Sequence, residues 1–191
     1  MDYLTLGLSL FFTLHSLRIV APHVRELLIQ RLGIPVWYVL HGVLSLVSLW
    51  LIASGYAMER LSPTWLWFPP MWLNHLTLLI MLVAMVFLWA GLIKGTYIRR
   101  LSGAPVPFAL VLWALAHMLS NPTVADMVLF GSFLVWATVL KRDVLTRSPV
   151  SETLSVRRTL AAIGLGIASF GAIAFWGHEC LIGVNPMAGM V

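Results

Sequence analysis

Long apolar runs separated by short basic clusters dominate the pattern of this chain. A helix needs about 20 apolar residues to cross roughly 30 Å of hydrocarbon. That length predicts six spans, over residues 3–21, 36–56, 72–93, 106–120, 123–140 and 160–177. The fourth and fifth share a short stretch with almost no loop between them. There Asn121-Pro122 marks the reversal, and a strongly tilted or partly re-entrant hairpin is an alternative to two full crossings. The first run starts at Tyr3 behind Asp2, has no basic segment before it and is followed by runs of the same character, so it is expected to be a retained span rather than a cleaved leader.

Composition strengthens this reading. The 191 residues are 60% hydrophobic and 10% charged, and the mean hydropathy is +0.94. A soluble domain of this size has no interior able to hide that much apolar surface. The expected fold is all-α: a polytopic integral membrane bundle of about six transmembrane helices, forming one domain over 1–191, with the lipid bilayer as its solvent.

A formal net charge of +5 would suggest nucleic acid in a soluble chain. Here the cations sit between apolar runs, so no nucleic-acid partner is expected. Arg18, Arg25 and Arg31 fall between spans one and two; Lys94, Arg99 and Arg100 between three and four; Lys141, Arg142, Arg147, Arg157 and Arg158 between five and six. Arg60 alone falls on the other side, where Trp65, Trp67 and Trp72 form an aromatic belt. The positive-inside rule then puts both termini outside the cytoplasm and the three basic connections within it. Residues 141–158, with Pro149, read as a solvated linker whose cations face anionic lipid.

Ionisable groups within hydrocarbon are costly unless neutral, paired or ligating, which directs attention to histidine. His23 lies among polar neighbours and is expected to be solvated. His15, His41, His75, His117 and His178 fall within or at the ends of spans, and five imidazoles exceed what helix packing requires. Each is an ordinary interface histidine in the bland reading; together they favour a metal or haem site. By depth, His15 and His41 belong to the cytoplasmic half, and His75, His117 and His178 to the opposite half. A boundary shift of about three residues would bring His15 and His117 to a common level. Other chemistries lack support. Cys180 is the only cysteine, Asp126 has no second acid beside it, and there is no GxSxG, Walker or HExxH pattern. Glu179 is a possible orienting partner for His178. Gly164, Gly166 and Gly171 read as close-packing positions.

Three blocks carry a family resemblance: His15-Ser16 with Arg18 and Arg25; the WALAH segment 113–117 running through Asn121 into the FGSF segment 130–133; and the closing residues 178–184. Together they resemble the NnrU family of bacterial membrane proteins, which is associated with denitrification and nitric oxide metabolism and is similar to zeta-carotene isomerase. The isomerase relatives hold haem b. The resemblance implies His15 and His117 as axial ligands, and Ser16, Arg18 or Arg25 are then expected near the propionates; His75, His178 and His41 remain further metal-ligand candidates from the residue survey alone, the family giving His41 no support. Catalytic residues are not identified. Relatives often carry Arg-His-Pro before the AH motif, whereas this chain reads Gly103-Ala104-Pro105. The implied function is haem-dependent chemistry on nitric oxide or a small hydrophobic substrate in the bacterial inner membrane. The alternative is a non-catalytic assembly or regulatory partner of a respiratory or denitrification complex.

Overall fold

The computed structural model describes residues 1–146 and 152–188, and these are helical with no β-strand. Among the described residues nine α-helices run in order: α1 Asp2–Val20, α2 Pro22–Leu32, α3 Ile34–Glu59, α4 Met71–Leu92, α5 Tyr97–Ser102, α6 Pro105–Ser120, α7 Val124–Thr146, α8 Val156–Ala172 and α9 His178–Ile182. A π-helical turn, Ile173–Gly177, joins the last two. Five segments are long and apolar enough to cross a membrane: α1, α3, α4, α7 and the continuous Val156–Ile182. The sixth expected span, α6, has 16 residues, about 24 Å at 1.5 Å per residue.

The packing divides the chain into two compact units, Met1–Leu66 with Thr123–Ser132, and Trp67–Pro122 with Phe133–Val191. In the first unit α1 and α3 run antiparallel. The amino terminus pairs with Glu59, Gly55 lies against Leu4, and Gly7 lies against Ile52. A Cβ on Gly7 would come within 2.7 Å of the Ile52 backbone nitrogen, so the close approach of the two helices requires glycine. Pro22 ends α1 and opens α2, because proline disfavours helical geometry in the residue before it and lacks an N–H that would be unsatisfied at a helix start anyway. Gly33, at φ 81, then turns the chain into α3, a conformation that a β-carbon disfavours.

The connection between the first two spans is therefore a helix, α2, with no buried residue. Its exposed Val24, Leu27 and Leu32 alternate with His23, Arg25, Glu26 and Arg31, a composition suited to a membrane interface.

In the second unit α4 is flanked by antiparallel neighbours. Thr77 donates to the Ala116 carbonyl at 3.0 Å, and the Phe87 and Phe108 rings meet edge to face with centroids 4.7 Å apart, so α6 runs beside most of α4. On α8, Gly166 lies against the Val86 backbone, where a Cβ would come within 2.7 Å of Val86 Cα. A Cβ on Gly164 or Gly171 would meet nothing within 4 Å among the described residues, so neither shows there the packing role expected of it. The part of α7 from Phe133 on runs antiparallel to α6: Trp113 meets Phe133 at 5.4 Å between centroids, and Lys141 Nζ lies over the Phe108 ring. Asn121-Pro122 does mark the reversal.

The expected solvated linker is partly helical and partly docked. Helix α7 extends to Thr146 and α8 begins at Val156, with Ser155 accepting from the Arg158 N–H as its cap. Glu152 accepts from the Gly95 N–H at 2.6 Å and pairs with Arg99. Arg147 and Pro149 lie outside the described residues.

Candidate functional site

Four of the six histidines occur as two pairs, one in each unit. In the first unit, His15 on α1 and His41 on α3 meet with ring centroids 5.1 Å apart. Phe11, one turn before His15, stacks on its ring at 4.0 Å. Trp37 is buried and lies one turn before His41 with centroids 5.7 Å apart, and the Arg25 guanidinium rests over the Trp37 ring at 5.9 Å. Arg25 thus reaches the histidine pair through an intervening indole. Ser16 is half-buried on α1 and Arg18 is exposed in its last turn.

In the second unit, His117 on α6 and His178 on α9 face each other with centroids 6.5 Å apart and planes 15° from parallel. Trp113 lies one turn before His117 at 5.3 Å. Both imidazoles line a cleft of about 220 Å³, whose apolar wall includes Met81, Met85, Phe170 and Ile173 and whose polar groups include Thr77 and Asn121. The π-helical turn forms part of this wall. Its extra residue per turn shifts the register of the helix just before His178, a local distortion often found at functional sites. His75 is exposed, with Nδ1 3.2 Å from the Met71 carbonyl, and His23 is exposed.

Hydrogen bonds set the tautomers. His15 Nδ1 lies 2.8 Å from the Phe11 carbonyl, His117 Nδ1 2.8 Å from the Trp113 carbonyl, and His178 Nδ1 2.8 Å from the Val184 carbonyl. A carbonyl oxygen only accepts, so in each neutral ring Nδ1 carries the proton and Nε2 the lone pair. This is the orientation that metal-ligating histidines adopt. His41 differs: its Nδ1 is 3.5 Å from the Ser45 hydroxyl, which donates to the His41 carbonyl at 2.7 Å. The partner that orients His178 is Val184, and Glu179 instead accepts from Asn185 at 3.2 Å. Among the described residues, no group of three or more His, Cys, Asp or Glu side chains is placed to hold a metal ion.

A second polar centre escaped the sequence reading. Asp126, 4% exposed, accepts from the Tyr56 hydroxyl at 2.5 Å, the Thr123 N–H at 2.9 Å and the Thr123 hydroxyl at 2.6 Å. Its own N–H donates back to Thr123 Oγ1. Thr-x-x-Asp directly after a proline is a helix-start pattern, and it was the available signal.

With helices suited to lipid and imidazoles oriented inside two separate packings, the chain is a multi-pass membrane protein. It belongs to the NnrU protein family, which matches residues 3–186. No curated protein and no solved structure matches it.

Proposed function

We propose that this chain is a haem b-binding protein of the bacterial cytoplasmic membrane, with α6 as a sixth crossing and both termini extracytoplasmic. Its role is in nitric oxide or denitrification metabolism or in isomerase-like, redox-gated chemistry. The observation that carries the reading is the contact that orients the His15 ring and the one that orients the His117 ring. Each ring places Nδ1 2.8 Å from the carbonyl one helical turn earlier, an orienting contact common among metal-ligating histidines, and this would suit the two residues to hold a haem iron. The family resemblance favours these two residues as the iron ligands, and Ser16, Arg18 or Arg25 would then lie near the propionates. Arg25, braced on Trp37, is the cation best held for that task.

Haem iron with an exchangeable position would supply the binding of nitric oxide or the activation of a double bond. The chain would supply ligands of defined tautomer and helices that exclude water from them. Detergent-purified protein expressed with ample haem is expected to show a Soret band that shifts on dithionite, with iron in proportion to protein. His15→Ala and His117→Ala should lose or alter that spectrum, and His23→Ala should leave it unchanged. A colourless, iron-free wild-type protein overturns the proposal.

A further inference from the structure

The end of the second unit that gathers its cations also contains an apolar groove. Phe87 of α4, Ile98, Leu101 and Ser102 of α5, Phe108 of α6 and Lys141 of α7 enclose about 370 Å³. Helix α5 explains its form. Thr96 caps it by accepting from the Arg99 N–H at 3.0 Å, and Arg99 is drawn inward to the Gly91 carbonyl at 2.5 Å and to Glu152. Leu101 is left 87% exposed, beside the exposed Arg100. On the facing helix, Lys141 holds its ammonium 4.5 Å from the centre of the Phe108 ring, at the edge of the groove, with exposed Arg142 next in sequence.

Charge at this end is one-sided. Between residues 94 and 158, the described cations are Lys94, Arg99, Arg100, Lys141, Arg142, Arg157 and Arg158; the described carboxylates near them in sequence are Asp143 and Glu152. Glu152 is already engaged by Arg99 and the Gly95 N–H. A groove with aromatic and aliphatic walls and an ammonium at its rim suits neither a fully apolar chain nor a fully hydrated anion. It suits a molecule carrying both parts. We infer that this groove binds one anionic phospholipid, with an acyl chain against Phe87, Leu101 and Phe108 and the phosphate at Lys141. The inference does not depend on haem.

Native mass spectrometry of the full chain, released from bilayer discs containing equal phosphatidylglycerol and phosphatidylcholine, tests it. The wild-type chain is expected to retain phosphatidylglycerol about five-fold or more over phosphatidylcholine, in line with the attraction of one well-placed cation. Lys141→Gln should abolish the preference and Lys141→Arg should keep it. Arg157→Gln removes the same charge outside the groove and should also keep it. Equal retention of the two lipids by the wild type overturns the proposal, even if a variant fails to fold. Equal losses in Lys141→Gln and Arg157→Gln overturn it as well, since they would reveal diffuse attraction in place of a site. Displacement of the retained lipid by millimolar inorganic phosphate would identify a phosphate site and overturn the assignment to lipid.

Discussion

Histidine and aspartate show at the residue scale how an apolar chain accommodates polar groups. His15 and His117 each use the carbonyl one helical turn earlier, a partner that the helix provides at no cost in long-range geometry, and so the tautomer is encoded locally. Asp126 depends on more distant partners: it draws together Tyr56 from α3 and Thr123 at the start of α7. Removing its carboxylate leaves three donors at half-buried residues without their acceptor. Asp126→Ala is therefore expected to lower stability by about 2–4 kcal/mol, read as an earlier thermal transition in detergent. Tyr56→Phe, which removes one donor and leaves the carboxylate its Thr123 partners, should cost about 1–2 kcal/mol. Equal melting of Asp126→Ala and wild type would refute a structural role for the cluster.

Glycines on a single helix separate into roles at the scale of elements. The glycines of α8 look equivalent in sequence, yet among the described residues Gly166 alone of the three meets another backbone. A methyl group there must displace Val86, so Gly166→Ala should destabilise the protein by about 1–3 kcal/mol. Gly164→Ala faces open space and adds helix propensity, so it should be neutral or stabilising by up to about 1 kcal/mol. Thermal unfolding of the two variants in the same detergent checks the contrast, and a reversed order would place the α4 contact elsewhere. The short helices α2 and α5 are likewise invisible to a search for long apolar runs. Each mixes cations with exposed leucines, and each lies where the chain passes between spans.

For the whole molecule, charge and topology agree within each unit. In the second unit, Gly95 meets Thr153 and Arg158, and Gly103 meets Leu145, so the basic connections share one end. In the first unit, Arg18 and Arg31 lie toward the α2 end of the α1–α3 pair, while Arg60 follows the opposite end of α3. Cys180, exposed and free in α9, lies at the C-terminal end of the last apolar segment and provides a natural reporter of sidedness. In intact cells, a membrane-impermeant maleimide should label Cys180. In a Cys180→Ser background, the same reagent should label Arg60→Cys, and Arg100→Cys only after the cells are opened. Labelling of Arg100→Cys from outside would invert the proposed orientation.

The sequence by itself determined the membrane class, the approximate limits of the apolar helices, the reversal at Asn121-Pro122 and which histidines fall on apolar helices. These follow from local quantities, namely the length of an apolar run, the geometry of proline and the cost of a polar group in hydrocarbon. Only the tertiary structure decided that His15 neighbours His41 and His117 neighbours His178, that Val184 rather than Glu179 orients His178, and that Asp126 has Tyr56 as its partner. It also decided which glycine of α8 bears a packed helix. Each of those depends on the rotation of a helix about its axis and on which neighbour it meets. In a chain apolar on nearly every face, hydrophobic periodicity carries little information about that rotation. Small residues and scattered polar contacts set it, and their partners lie far away in the chain.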